Sequence, residues 1–280
     1  MHIFLNIFVF TALAILWLVR SLLVSFYPSL SKRLTGFFVT RLQPAEKIAK
    51  VGKYDVLGIL GKGSTALIYE GIHREIGRKV AIKMLNHDLA KNDLYRQRFQ
   101  NEAHIIAQLN HPNIIQVFDI EQMHGTFFMI MERMPGNNLK DLLKRRTQFP
   151  PDEVRAIIYQ VASALEYAHE KSIFHGDVKP ANCVMADNNQ VKLMDFGLSQ
   201  LHKANQSLEI EGSPDYLAPE IILGKTGDAQ SDIYSLGAMA FALLTGHSPF
   251  QAATINEVLI GHIKKPIPEL SILHPNIPEH

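Results

Sequence analysis

One cysteine, Cys183, in 280 residues excludes an intrachain disulfide and any metal site built from several thiolates. Such sparing use of cysteine suits a reducing compartment. Charge of either sign is not in excess: 28 basic and 27 acidic residues leave a formal +1, so no basic field argues for a nucleic-acid partner. Internal repeats and low-complexity tracts are also missing. Apolar residues at 47% and charged residues at 20% are ordinary for a globular chain, which excludes disorder as a description of the whole.

The first 19 residues, MHIFLNIFVFTALAILWLV, lack acid, lysine and arginine altogether. As a helix rising 1.5 Å per residue they match the roughly 30 Å of a bilayer's hydrocarbon layer. No basic stretch precedes the run and no small-x-small site follows it, so the pattern reads as an uncleaved anchor rather than a signal peptide. Arg20, Lys32, Arg33, Arg41, Lys47, Lys50 and Lys53 follow, against Glu46 alone, a bias that orients the flank to the cytoplasm. Apolar and aromatic residues within this flank fit a segment lying on an anionic membrane, and equally a solvated linker.

From Tyr54 the pattern changes. YDVLGIL, ALIYEGI and KVAIKML read as strands, residues 93–109 as a helix, and IIQVFDI and TFFMIME as two further strands. Beyond Pro135-Gly136, Val154, Ile157, Ile158, Val161, Leu165 and Ala168 recur at helical spacing, with Pro151, Asp152 and Glu153 in the first turn. Further helices are expected at 229–246 and 254–264. A strand-rich half and a helix-rich half thus join near residues 131–138.

Four clusters carry chemistry. Gly61-Lys62-Gly63-Ser64-Thr65-Ala66 lies between two strands, where glycine lets backbone amides approach a phosphate, although a plain hairpin uses the same residues. Lys83, on one strand face with Ala81, needs an anion, and Glu102 on the inward side of the following helix supplies one. His175-Gly176-Asp177-Val178-Lys179-Pro180-Ala181-Asn182 gathers an acid able to orient a hydroxyl or take its proton and a neutral oxygen ligand for a hard cation. Asp195-Phe196-Gly197, thirteen residues beyond Asn182 across an expected hairpin, adds a second oxygen ligand.

In order and spacing these clusters resemble the serine/threonine protein kinases of bacteria and eukaryotes, from Tyr54 to His280; the motif roles are those of the family's general template. The resemblance implies an α+β, bilobal kinase fold, with an antiparallel N-lobe sheet plus one helix (54–131) and a mainly helical C-lobe (132–280). A transmembrane helix (1–19) and a basic linker (20–53) precede it. ATP and Mg2+ are implied as cofactors and protein serine or threonine hydroxyls as acceptors, with the membrane as partner through the anchor and no nucleic acid. Leu60, Gly61, Lys62, Gly63, Ser64, Ala66, Ile68, Ala81, Lys83, Glu132, Met134 and Asn138 would contact the nucleotide. Asn182 and Asp195 would hold the metal. Asp177 would be the base with Lys179 as charged support, Lys83 paired with Glu102 would hold the α- and β-phosphates, and Ser213 would be a hydroxyl bridging Asp177 and Lys179. Asp232 would brace the catalytic loop.

Departures from the pattern are informative. Ala66 stands in place of a third glycine. Gly176 stands where arginine is usual, which removes one receiver for an activation-loop phosphate. The family's last helices are not in the sequence, among them the arginine that pairs with the equivalent of Glu220, and the chain reads as a fragment or shortened product. Small-molecule phosphotransferases of this fold share His-Gly-Asp, but Lys179 and the Gly212–Glu220 stretch favour a protein kinase. A nucleotide-binding pseudokinase normally lacks a lysine or aspartate that is present here.

Overall fold

The computed structural model describes residues 48–63, 65–196 and 214–270, and statements of absence refer to these. Residues 1–47, Ser64, the 197–213 stretch with Ser213, and residues 271–280 lie outside the described residues. The expected anchor falls among them. No helix of the described residues is long and apolar enough to cross a membrane.

The upper half is a six-stranded antiparallel sheet of order β1-β2-β3-β4-β6-β5. Its strands are β1 (Lys50–Val51), β2 (Tyr54–Lys62), β3 (Ala66–His73), β4 (Lys79–Leu85), β5 (Val117–Met123) and β6 (Thr126–Glu132). The sheet begins inside the stretch read as linker, because Lys50 and Val51 pair with Asp55 and Tyr54. A short α1 (His87–Ala90) leads to α2 (Asp93–Ala107), whose N-cap Asn92 accepts from the Leu94 amide at 2.9 Å. Phe99 and Ala103 of α2 pack on Ala81, Leu85, Met129 and Met131.

The apolar run at 114–120 is only partly strand. Ile114 belongs to the lower core and Ile115 to the upper, and β5 begins at Val117. Continuous hydrophobicity here marks burial between two layers rather than a longer strand.

Below the hinge (the Met131–Met134 connection between the halves), β7 (Asn137–Asn138), β8 (Cys183–Met185) and β9 (Val191–Leu193) form a three-stranded sheet. The expected hairpin between Asn182 and Asp195 is β8–β9. Helix α3 (Leu139–Arg146), not evident from periodicity, follows β7. Helix α4 (Pro151–Glu170) buries Val154, Ile157, Val161, Ala164, Leu165 and Ala168, the spacing of one helical face. Short α5 (Pro219–Ile222) precedes α6 (Ala229–Thr245), and α7 (Ile255–Lys264) follows. α6 is apolar on most sides, as a helix inside a core must be. Its start carries a capping box between Asp228 and Ser231. Cys183 is fully buried and its thiol is pushed up to about 12 by burial, so it is a packing residue.

Gly136, just after the hinge, has φ +126°, and a Cβ there would lie 2.1 Å from the Met185 carbonyl oxygen. A methyl group at Gly61 would meet nothing within 4 Å. Gly136→Ala is therefore expected to cost at least about 2 kcal/mol from backbone strain and overlap. Gly61→Ala should leave stability close to that of the parent. Thermal unfolding of both variants checks the contrast, and equal midpoints would contradict it.

Candidate active site

The cleft between the two halves is organised by Lys83, which sits in the middle of β4, paired in register with Ile68 and Met129. Its ammonium lies 2.7 Å from Glu102 Oε1 and 2.9 Å from Asp195 Oδ1. Burial works against the lysine's charge, but Asp195 and Glu102 together outweigh it and hold the ammonium well above its usual range. One cation cannot satisfy two carboxylates equally. Burial raises the Glu102 carboxyl despite Lys83, whereas Lys83 overcomes burial at Asp195 and holds that carboxyl below its usual range. Asp195 also has φ +63°, a left-handed backbone for a non-glycine residue, which costs about 1–3 kcal/mol and needs its surroundings to impose it.

The loop after α4 is braced by Asp232 from the first turn of α6. Asp232 Oδ2 accepts from the His175 amide and Oδ1 from the Gly176 amide, both at 2.8 Å. His169, in the last turn of α4, brings its Nε2 within 2.8 Å of the same carboxylate. Gly176 has φ +77°, so glycine suits the very position where arginine was expected. His175 is buried, accepts the Asp177 amide on Nδ1 at 3.1 Å and bonds the Met194 carbonyl through Nε2 at 2.9 Å, which fixes its tautomer. Its ring lies 4.6 Å from that of Phe196.

Asp177 is held from two sides. Asn182 Nδ2 donates to its carbonyl at 2.9 Å and to Oδ2 at 3.0 Å, and the Lys179 ammonium lies 2.5 Å from the same Oδ2. Asn182, in a single 3-10 turn (Pro180–Asn182), also accepts the Met194 amide on its carbonyl at 2.9 Å. The two turns that carry Asn182 and Asp195 are thereby tied together.

Asn182 and Asp195 each bring a side-chain oxygen to these adjoining turns. Two hard oxygens suit a cation that keeps waters or phosphate oxygens as its other ligands, and magnesium is such a cation. No group of three His, Cys, Asp or Glu side chains able to hold a metal occurs among the described residues.

The nucleotide candidates separate by position. Gly61 and Lys62 end β2, and the Gly63 amide bonds the Ala66 carbonyl at 2.9 Å. Leu60 is exposed, while Ala66 is buried. Ile68, Ala81 and Met134 share one apolar cluster with Met131. Asn138 is occupied otherwise: its Oδ1 caps α3 by accepting the Asp141 amide, and its Nδ2 donates to the Asp141 carboxylate, both at 2.8 Å. The Glu132 side chain turns to Lys192, 3.0 Å away. Glu220 is not left unpartnered, since Ser231 donates to its carboxylate. His169 was missed; a histidine in a helix's last turn, six residues before His175, is the faint signal that could have found it. Ser213 and Ser64 cannot be placed, as they lie outside the described residues.

The sequence matches the family model described as the protein kinase domain over residues 54–277. It is 31% identical over 231 residues to the serine/threonine-protein kinase PrkC of Bacillus subtilis, covering 81% of this chain and 36% of that protein. It is 34% identical over 225 residues to the serine/threonine-protein kinase PknB of Mycobacterium leprae, covering 77% and 36%. The chain therefore spans a little over a third of the length of these relatives.

Asp232 yields a pH prediction. Burial raises its carboxyl, but the His169 bond, His175 and the two loop amides outweigh this and hold it below the free value of 3.8. Its contribution to stability is present above that value and is lost as pH falls through the lower folded-state value. Asp232→Asn should be less stable than the parent at neutral pH, by about 3–5 kcal/mol if the brace is broken outright. The gap should narrow below pH 3.8. Urea unfolding of both forms across that range checks it; a pH-independent gap would exclude an ionised brace.

Proposed function

The chain belongs to the protein kinase domain family, and from that membership we propose that it transfers the γ-phosphoryl group of ATP to serine and threonine hydroxyls of proteins, with magnesium as its metal. The observation that carries the reading is the pair of bonded groups Lys83–Glu102–Asp195, at 2.7 and 2.9 Å, and Asp177–Asn182–Lys179, at 2.5 to 3.0 Å, whose turns are tied by the Met194 amide on the Asn182 carbonyl.

The chemistry follows from what each group can do. Lys83, fixed by Glu102, offers its charge to phosphate oxygens, and the amides around Gly61 and Gly63 cover them. Metal held by Asn182 and Asp195 would neutralise the negative charge that builds on the transferring group. Asp177 orients the acceptor hydroxyl and takes its proton as the new oxygen–phosphorus bond forms. The bond from the γ-phosphorus to the β–γ bridging oxygen breaks, and that oxygen leaves with ADP. Lys179, already against Asp177, places positive charge beside the transferring oxygens. The Met131–Met134 backbone would meet the adenine.

Protein acceptors are favoured by Lys179 and by the Pro214–Glu220 stretch, which resemble those of serine/threonine kinases. Both relatives above are named as such kinases. The apolar, charge-free residues 1–19 and the basic residues after them support a single-pass anchor with the kinase domain in the cytoplasm, where ATP is available, and so a role in membrane-linked signalling.

Asp177→Asn should lower turnover about 10²–10⁴-fold, the usual contribution of a positioned acid or base. Labelled ATP offered with a generic protein, an amino sugar, or no acceptor should label the protein alone. Label on the sugar would indicate a small-molecule phosphotransferase, and full activity of Asp177→Asn would displace Asp177 from its role. For the topology, protease added outside intact cells should leave the kinase domain whole, and its digestion would reverse the orientation.

A further inference from the structure

Lys192 and Glu132 form an ion pair for which the transfer chemistry has no use. Glu132 ends β6, and Lys192 is the middle residue of β9, three positions before Asp195. Val191 and Leu193 enter the lower core, so strand alternation sends Lys192 to the opposite face, toward the hinge. Its ammonium meets Glu132 Oε2 at 3.0 Å and the Ile114 carbonyl at 3.4 Å, and its side chain is only 10% exposed. Lysine is seldom so covered without a partner that holds it.

Glu132 is gripped from a second side. Its Oε2 accepts the Gln116 amide at 3.3 Å, and its own amide donates to the Gln116 carbonyl at 2.8 Å. The same stretch is joined to β9: the Ile115 amide donates to the Leu193 carbonyl at 2.9 Å, and the Leu193 amide to the Asn113 carbonyl at 2.8 Å. Hinge, 113–116 stretch and the strand that delivers Asp195 therefore meet around one buried cation.

We propose that the Lys192–Glu132 pair is a strut that fixes the spacing between the hinge and the Asp195 turn, which makes both residues positioning residues for the metal–nucleotide complex. This rests on the nucleotide reading of the cleft given above. A nucleotide that reaches from the hinge to Asp195 spans the two ends of the strut. An error in their spacing then weakens its binding before it touches the reacting groups, because Asp177 and Lys179 lie on a different loop. The strut acts through side chains alone, so Glu132→Gln removes its charge pairing and keeps the hinge backbone.

The test measures Mg–ATP affinity of the full chain by calorimetry without any acceptor, beside steady-state transfer. Lys192→Met and Glu132→Gln should each raise Kd and KM for the nucleotide about tenfold, within the usual range for coupling between sites. Turnover at saturating nucleotide should change less than about threefold in Lys192→Met, since uniform binding and not the transition state is affected. The double variant should be no weaker than the weaker single, because one interaction is lost only once. Lys192→Arg should retain the parent's affinity. Unchanged affinity in both single variants, or penalties that multiply in the double, would overturn the strut. If Lys192→Met does not fold, Glu132→Gln against Lys192→Arg decides alone, and equal affinities there would also overturn it. Binding is read without acceptor, so a parent that binds Mg–ATP but labels no protein would defeat the proposed function and leave this measurement intact.

Discussion

Asp232 is almost wholly buried at the start of α6, and an isolated carboxylate in that position would be expensive. It is tolerated because two backbone amides and His169 converge on it. Those same bonds hold the 175–176 backbone, and through it the position of Asp177. α6 in turn is apolar around most of its surface and capped at both ends, by the Asp228 box and by Gly246 in a left-handed conformation. The core helix supplies the fixed point, and the loop that carries Asp177 is hung from it. A chain of hydrogen bonds continues outward, each residue donating to the next: His175 to Met194, Met194 to Asn182, Asn182 to Asp177.

The upper half contributes charge rather than rigidity. Lys83 reaches Glu102 within its own half and Asp195 from the other, so the cleft is closed by one cation between two acids. That arrangement is electrostatically unequal, with Asp195 favoured as the charged partner and Glu102 penalised by burial. An incoming cation or phosphate would redistribute it. The strained backbone at Asp195 points the same way, since a non-glycine residue is kept at positive φ only where the neighbouring loop dictates its direction. Site geometry is therefore a property of contacts between halves, which is why a pair remote from the reacting atoms, Lys192 and Glu132, can matter to nucleotide binding.

Glycine is used here for different physical reasons. Gly136 and Gly246 are demanded by the fold, because a Cβ would strike a backbone carbonyl at each. Gly176 is demanded by its backbone angle within the catalytic loop. Gly61 is demanded by neither, as the space beside it is open. The folded chain alone gives no steric reason for that glycine.

Much of the site was legible in the sequence because its residue types are chemically unusual where they stand. A lysine inside an apolar strand, an acid on the inward face of a helix and an Asp–Asn pair in a polar loop each need a partner. Their spacing along strands and helices fixed which could face which, and Lys83 with Glu102 was readable in that way. Residues 229–246 were readable as helix from their length and sustained apolarity, a run too long for a strand. What escaped were features set by the meeting of distant segments. His169 and Asp232 are 63 positions apart, and Lys192 and Glu132 are 60 apart. The capping of α3 by Asn138 was likewise unread, because it appears only once the start of that helix is placed. Ile114 and Ile115 read as strand, yet they divide between two cores. Local periodicity and chemistry are encoded within a few residues of each position, so the sequence determines them directly. Which buried charge meets which, and where an apolar run changes layers, depends on how separate elements pack, and only the tertiary structure decides that.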